Sequence, residues 1–234
     1  MNEPKRRRYV FAFIITAALF FLGFFFGFIM DLKRVDYFDK VNSEQQLNMK
    51  SLQLQYELLK GDGIQDRCGA FRFIFDKYII ELENNRARLD SYSKQSEVIT
   101  EDFDNLKREY VLSQINFWYI SRTFKEACPN ASEFVTILYF FSNNHICPDC
   151  GSQATVLNYY KSILKENLLI FSFDDQFSQK EPLISMLEGV YDVESYPTIV
   201  VNNKVYSGFV AKENLTEVLC TEYTSENITK KICS

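Results

Sequence analysis

The chain divides into three regions by the spacing of its apolar residues. The first is an uncharged run over residues 9–30, YVFAFIITAALFFLGFFFGFIM. In residues 31–127, apolar residues recur at intervals of three and four, which predicts amphipathic helices with a coiled-coil-like stripe. From residue 132 onward, short β-branched and aromatic runs that are typical of strands alternate with helical segments.

The third region predicts an α/β domain with a central sheet and flanking helices. Its runs indicate, in order, a strand, a helix, a strand, a helix, a β-hairpin and a closing helix, over residues 134–141, 148–165, 167–173, 182–190, 198–207 and 211–220. Asn202 and Asn203 tolerate the left-handed backbone geometry that a tight hairpin turn requires. We expect the domain to span residues 132–220, followed by a C-terminal tail over residues 221–234.

The uncharged run over residues 9–30 predicts a transmembrane helix. At 1.5 Å per residue its length is roughly 33 Å, about one hydrocarbon core. A cleaved signal peptide is one alternative, although the run is long for one and no small-residue cleavage site follows it. A buried core helix is another. Because Lys5 to Arg8 precede the run, the positive-inside rule predicts a cytoplasmic tail over residues 1–8.

The same orientation places residues 31–234 outside the cytoplasm, in a single-pass protein of the cell membrane whose residues 9–30 contact lipid. Three glycosylation sequons, at Asn130, Asn214 and Asn227, agree with export. Gly23 and Gly27 form a GxxxG spacing, which can bring two membrane helices together in a homodimer. Chance spacing is an equal alternative in so apolar a segment, and the stalk described next is a second route to a dimer.

Residues 31–127 predict a helical stalk or bundle. The stretch Ser91–Ser96 is its weakest helical segment, so we expect either an antiparallel hairpin that turns there or one long helix over residues 64–127. In a hairpin, Cys68 and Cys128 lie equally far from residue 98 and meet at one end, where an oxidising compartment favours a disulfide. The stalk either packs without chemistry or presents its stripe to a partner.

Composition and charge narrow the range of functions. A net charge of −5 and a pI near 5.1 disfavour a nucleic-acid binder, which needs a basic face. Only one histidine, His145, is present, so sites that need two or more imidazoles are excluded, including most catalytic zinc sites. The six cysteines become the main candidates for chemistry.

Cys147 and Cys150 frame the sequence CPDC where the first predicted strand gives way to a helix. Unpaired N–H groups and the dipole at a helix N-terminus stabilise a thiolate, so Cys147 is the expected nucleophile. Two intervening residues place Cys150 one turn later, close enough to resolve a mixed disulfide. The alternatives are one half of a zinc knuckle, a permanently oxidised pair, and a hydrolase that uses Cys147 with His145 as its base.

These residues resemble the thioredoxin family over roughly residues 132–220. The resemblance rests on Cys147-Pro148-Asp149-Cys150, on Tyr196-Pro197-Thr198 before the third strand, and on Gly208 after the fourth. It implies a cis Pro197 that packs against the cysteines, shapes the substrate groove and keeps metal away from the thiols. It also implies that no organic cofactor is needed. The chain departs from the family at Phe141, where a buried acid is usual, and at Ile146, where a tryptophan is usual.

The predicted function is therefore thiol–disulfide exchange with exported proteins, in which Cys147, Cys150 and Pro197 form the site and an unidentified redox partner restores it. A carboxylate at Asp149 disfavours the thiolate and favours a reductase or isomerase over a strong oxidase, whereas a protonated His145 acts in the opposite direction. The alternative is a redox-inactive thioredoxin-like module with a partner-binding stalk.

The C-terminal tail carries the last two cysteines. Cys220 and Cys233 flank a short polar segment, and a disulfide between them would attach the tail to the closing helix.

Overall fold

The computed structural model describes residues 13–25, 66–93, 100–129, 133–143 and 145–233, with the isolated positions 47, 50, 51, 54 and 57. The chain forms two compact units, Met1–Gly63 and Ile64–Ser234. In the first unit, helix α1 covers residues 13–25, and the five isolated positions are also helical. The other residues of the predicted stalk before residue 66, and Gly27, lie outside the described residues.

The prediction of a transmembrane helix over residues 9–30 is wrong for the part of the chain that the structure describes. No helix among the described residues is long and apolar enough to cross a membrane. The physical reason is length, because residues 13–25 rise only about 20 Å as a helix, whereas a hydrocarbon core is about 30 Å thick. Residues 9–12 and 26–30 lie outside the described residues.

The second unit contains six helices and four strands among its described residues. They are α2 (Arg67–Ser93), α3 (Thr100–Ala127), β1 (Val135–Phe141), α4 (Cys150–Leu164), β2 (Leu168–Asp174), α5 (Pro182–Val190), β3 (Thr198–Val201), β4 (Lys204–Ser207), α6 (Lys212–Glu222) and α7 (Glu226–Ile232). Short 3₁₀ turns at Lys165–Asn167 and Asp175–Phe177 flank β2. Helix α7 lies in the segment that the sequence predicted only as a tail.

The four strands form one mixed sheet in the order β2-β1-β3-β4. β1 runs parallel to β2 and antiparallel to β3, and β3 pairs antiparallel with β4. The β3–β4 turn places Asn202 at a φ of 53°, the left-handed geometry expected for this hairpin. A mixed sheet with flanking helices is compatible with a thioredoxin-like fold.

One face of the sheet packs against α4, α6 and α7. β1 contributes alternate residues, Val135, Ile137 and Tyr139, because successive side chains of a strand point to opposite faces. Leu157 and Leu215 belong to the same buried cluster, with at most 2% of each residue exposed. This packing fixes α4, which begins at Cys150, against the centre of the sheet.

The helices α2 and α3 form the predicted antiparallel hairpin, and they pack on the sheet. Within the hairpin, the ring of Phe75 lies 4.9 Å from that of Phe117. Toward the sheet, Phe75 lies 5.2 Å from Phe134, and Phe117 lies 5.7 Å from Phe171. The expectation of a separate stalk over residues 31–127 therefore needs correction, since these aromatic contacts make the hairpin part of the same compact unit as the sheet.

Polar contacts connect the hairpin to the edge of the sheet at β2. The buried Gln114 side chain accepts a hydrogen bond from the Ser172 N–H at 2.8 Å and donates to the Ser172 carbonyl at 3.3 Å. Lys107 pairs with Asp174 at 2.6 Å beside it. The Gln114 amide thus occupies the place of a neighbouring strand, so the backbone groups of Ser172 stay satisfied at the sheet edge.

Candidate functional site

The loop between β1 and α4 carries the cysteine pair, and Asn143 shapes it. The Asn143 carbonyl accepts hydrogen bonds from the N–H groups of Ile146 at 3.1 Å and Cys147 at 2.8 Å. Its side-chain Oδ1 accepts from the N–H groups of His145 and Ile146, at 3.0 and 3.1 Å. Asparagine side chains commonly close such turns, and here the turn sets the position of Cys147.

Cys147 and Cys150 form a disulfide, with their Cα atoms 5.4 Å apart. Helix α4 begins at Cys150, and the Cys150 N–H donates to the Cys147 carbonyl at 3.4 Å. The predicted start at residue 148 was therefore too early, because Pro148 and Asp149 form the turn that precedes the helix. The disulfide still lies at the N-terminal end of α4, where first-turn N–H groups lack intrahelical partners and favour a thiolate.

The two sulfur-bearing residues are buried, whereas their neighbours are exposed. Cys147 is 0% exposed and Cys150 is 4% exposed, but Ile146, directly before them, is 58% exposed. Pro148 and Asp149 are exposed, as is His145. The residues expected to modulate the thiols thus form the outer surface of the loop, and the disulfide lies beneath it.

Tyr139 supports the disulfide from the sheet. Its hydroxyl donates a hydrogen bond to the Cys150 carbonyl at 2.6 Å. Burial raises the pKa of Tyr139 to about 12, so the hydroxyl keeps its proton near neutral pH and remains a donor. Because Tyr139 is fixed in the core of β1, this bond holds the first residue of α4 in place.

Gln153 lies one turn after Cys150 on the buried face of α4. This face consists of Cys150, Gln153, Leu157, Tyr160 and Leu164. The Gln153 side chain is fully buried, and its Oε1 accepts a hydrogen bond from the Val210 N–H at 2.8 Å. Its Nε2 has no hydrogen-bond partner among the residues that the structure describes. A polar side chain among apolar neighbours is the feature of the sequence that could have identified it.

Pro197 lies in the loop that precedes β3, and the Tyr196–Pro197 peptide bond is cis, as the family resemblance implies. Pro197 is buried, and its carbonyl accepts a hydrogen bond from the Gly208 N–H at 2.8 Å. Gly208 has a φ of 82°, a left-handed conformation that glycine adopts without strain. Contact between Pro197 and the Cys147 sulfur stays a prediction.

Two carboxylates share the hydroxyl of Tyr196, the residue before Pro197. The hydroxyl lies 2.9 Å from Asp175 Oδ1 and 2.8 Å from Glu188 Oε1. Burial, followed by the negative charge of Asp175, raises the pKa of Glu188. Burial and the two carboxylates likewise raise the pKa of Tyr196. No sequence pattern predicts this cluster, because its members come from three separate segments.

The other four cysteines form two further disulfides, the pairs that the sequence suggested. Cys68 and Cys128 join the open end of the α2–α3 hairpin, with Cα atoms 5.8 Å apart. Cys220 and Cys233 join α6 to the end of α7, also at 5.8 Å. All six cysteines are thus paired with one another. No group of three or more potential metal ligands occurs among the described residues.

Comparisons with known proteins give little support beyond this geometry. No family model and no curated protein matches the chain. Among solved structures, one described as a malarial protein shares 22% identity over 39% of this chain and 99% of its own, with a TM-score of 0.31. A J-Trx1 fragment of ERdj5 shares 17% identity over 76% of this chain and 97% of its own, with a TM-score of 0.32. Scores this low support no conclusion about function.

Proposed function

We propose that this protein is a thiol–disulfide oxidoreductase whose redox centre is the Cys147–Cys150 pair. The Cys147 thiolate attacks a substrate disulfide, forms a mixed disulfide and releases one substrate thiolate, which takes up a proton. The Cys150 thiolate then attacks the Cys147 sulfur and releases the second substrate thiolate. The substrate gains two electrons and the protein dithiol loses two, so a dithiol or two thiols must restore the reduced protein.

The observation that carries this proposal is the position of the disulfide at the N-terminal end of α4. Only two residues separate its cysteines, and Cys150 is the first residue of the helix. Helix-terminal N–H groups stabilise the thiolate that a reversible exchange requires. The cis Pro197 before β3 and Gly208 after β4, joined by a hydrogen bond, support the same assignment through their resemblance to the thioredoxin family.

The substrates we propose are protein disulfides and dithiols. The exposed side chain of Ile146, beside Cys147, and that of Phe209, after Gly208, provide apolar surface for an unfolded segment. Because Cys147 is fully buried, the exposed turn formed by His145 to Asp149 must move before its sulfur can be attacked. The two additional disulfides favour an oxidising compartment, and the exposed carboxylate of Asp149 favours a reductase or isomerase.

The test is reduction of a fluorescent peptide disulfide by the protein in the presence of a dithiol reductant. We expect Cys147→Ala to lower the rate to background with folding unchanged. Cys150→Ser should accumulate a mixed disulfide through Cys147, because the resolving thiol is missing. The Cys220→Ala/Cys233→Ala variant is the matched control and should keep its activity. Full activity of Cys147→Ala would refute the assignment.

A second candidate function is favoured by one observation, the nearly complete burial of both site cysteines. In this alternative, the Cys147–Cys150 bond is structural, and the unit is a binding module that uses its helical hairpin. The same assay separates the two, because a structural bond gives background activity in the wild type and no mixed disulfide in Cys150→Ser.

A further inference from the structure

The side-chain NH₂ group of Gln153 is a buried donor without a hydrogen-bond partner among the described residues. Burial of a polar group without a hydrogen bond costs free energy, so a buried amide nitrogen is normally paired. Gln153 is 0% exposed, and the hydrogen bond from the Val210 N–H establishes which end of its amide is the oxygen. The opposite end is therefore the NH₂ group, and it has no partner among the described residues.

Gln153 and Cys150 are both on the buried face of α4. Residues three apart on a helix are neighbours on one face, which brings the side chains of Cys150 and Gln153 together. Helical side chains also lean toward the helix N-terminus, so Gln153 covers the turn that contains Cys150. Leu157, the next residue on this buried face, has no donor of its own.

We propose that Gln153 is the hydrogen-bond donor to the Cys150 thiolate when the disulfide is reduced. This deepens the proposed function, because it assigns a residue to the resolving step. In the disulfide, the Cys150 sulfur is uncharged and is a weak acceptor. Reduction by a dithiol adds two electrons and two protons and separates the two sulfurs. The Cys150 thiol becomes a charged acceptor when it loses its proton.

The consequence is a thiolate that forms at a lower pH than an unassisted buried thiol. A hydrogen bond to the charged form of an acid favours that form, and this opposes the effect of burial on Cys150. The chain has Phe141 where thioredoxins carry a buried acid. Gln153, an uncharged donor, would instead lower the pKa of Cys150 before Cys150 attacks the mixed disulfide.

The experiment measures ionisation without turnover, so it does not depend on the proposed function being correct. In the Cys147→Ala protein, Cys150 is the one unpaired cysteine, since the other four form disulfides. Its ionisation is followed by thiolate absorbance against pH. The Gln153 side-chain NH₂ resonance is followed in the same titration by NMR.

We expect the Gln153 NH₂ resonance to shift with the same midpoint as the Cys150 absorbance. Adding Gln153→Met should raise that midpoint by about one pH unit, a tenfold loss of thiolate below it. Leu157→Met is the matched control on the same helix face and should leave the midpoint unchanged.

Three outcomes are informative. The proposal is overturned if Gln153→Met leaves the midpoint unchanged, or if the Gln153 NH₂ resonance does not shift during the titration. Gln153 would then serve only as a structural hydrogen-bond partner of Val210. If Gln153→Met raises the midpoint but the wild-type protein lacks peptide reductase activity, Gln153 is still the donor to Cys150, and the proposed oxidoreductase function is refuted. If Gln153→Met fails to fold, the NMR titration alone decides.

Discussion

The disulfide at the start of α4 and the one at the open end of the helical hairpin differ in the length of chain that they close and in the groups around them. Cys147 and Cys150 are three residues apart in a turn, whereas Cys68 and Cys128 are 60 residues apart and hold two long helices together. A disulfide stabilises a protein chiefly by restricting its unfolded chain, and this effect grows with the length of the closed loop. The short loop therefore contributes little to stability, which suits a bond that, in the proposed function, opens during thiol–disulfide exchange.

The surroundings of the two bonds also differ. The aromatic rings of Phe71 and Phe124 stack 5.7 Å apart close to the hairpin disulfide, so this end of the molecule is held by packing as well. The cysteine pair of the site instead lies beside the exposed turn at His145 and Asp149, and the Tyr139 hydroxyl donates to the Cys150 carbonyl. Cys128 is buried and Cys68 is half-buried, whereas both cysteines of the site are buried beneath an exposed turn.

The largest effect on stability should come from removing the hairpin disulfide. Cys68→Ala/Cys128→Ala frees a loop of 60 residues, for which we expect a loss of about 4 kcal/mol in the free energy of unfolding. Urea denaturation measures this loss, and peptide disulfide reduction should persist wherever the variant is folded. A loss below about 1 kcal/mol would mean that the aromatic contacts alone hold the hairpin on the sheet.

Removal of the C-terminal disulfide should have the next largest effect. The loop between Cys220 and Cys233 is shorter, with a separation of 13 residues, so Cys220→Ala/Cys233→Ala should cost about 3 kcal/mol. Thermal unfolding of the two double variants side by side checks the order. The reverse order would contradict the dependence on loop length on which the comparison rests.

The site disulfide should matter least for stability and most for activity. We expect Cys147→Ala/Cys150→Ala to lose about 1–2 kcal/mol, because the closed loop is very short and two small buried groups are replaced. Its peptide reductase activity should fall to background. Urea denaturation and the activity assay on one preparation test both parts, and a loss as large as that of the hairpin variant would identify a structural bond.

The smallest effect concerns pH and the loop before Pro197. Because the pKa of Glu188 is raised above 4.5, the stability from its bound proton is fully present below pH 4.5 and is lost as the pH rises through the folded-state pKa. Glu188→Gln keeps a neutral acceptor for Tyr196 at every pH. The unfolding free energy of the variant relative to wild type should therefore rise between pH 4 and 7, by less than about 1 kcal/mol after solvent screening.

Urea denaturation at several pH values measures this trend. Asp175 is the other charged group that contacts Tyr196, so Asp175→Asn is measured beside it to separate the two carboxylates. A relative stability of Glu188→Gln that stays level or falls with pH would show that folding does not raise the pKa of Glu188.

Much of the second unit follows from local sequence patterns. The strands, the break near Ser91 and the position of the CPDC loop depend on apolar spacing and turn residues, and these signals are short-range. Cys147–Cys150 could be proposed from its CxxC spacing, Cys220–Cys233 from the short segment between its cysteines, and Cys68–Cys128 from their equal distance to the predicted hairpin turn. Helix α7 was missed because seven residues, Glu226–Ile232, contain too few turns to establish a period.

The remaining features depend on long-range contacts that periodicity does not encode. Phe117 fits an amphipathic helix equally well in a free stalk and on a sheet, and only its contact with Phe171 distinguishes the two. The uncharged run is a different case, because composition reports how apolar a segment is, whereas the helix described within the run covers only residues 13–25. The cluster around Tyr196 joins residues from three segments and has no sequence signature.

The most direct test of the central claim is stepwise reduction of the wild-type protein. The protein is equilibrated with dithiol buffers of decreasing potential, the free thiols are alkylated, and peptide mapping identifies them. The account predicts that Cys147 and Cys150 are alkylated first, while Cys68, Cys128 and the Cys220–Cys233 pair remain oxidised in folded protein. If the Cys147–Cys150 bond instead opens together with the others, or only on unfolding, it is structural and the proposed function is wrong.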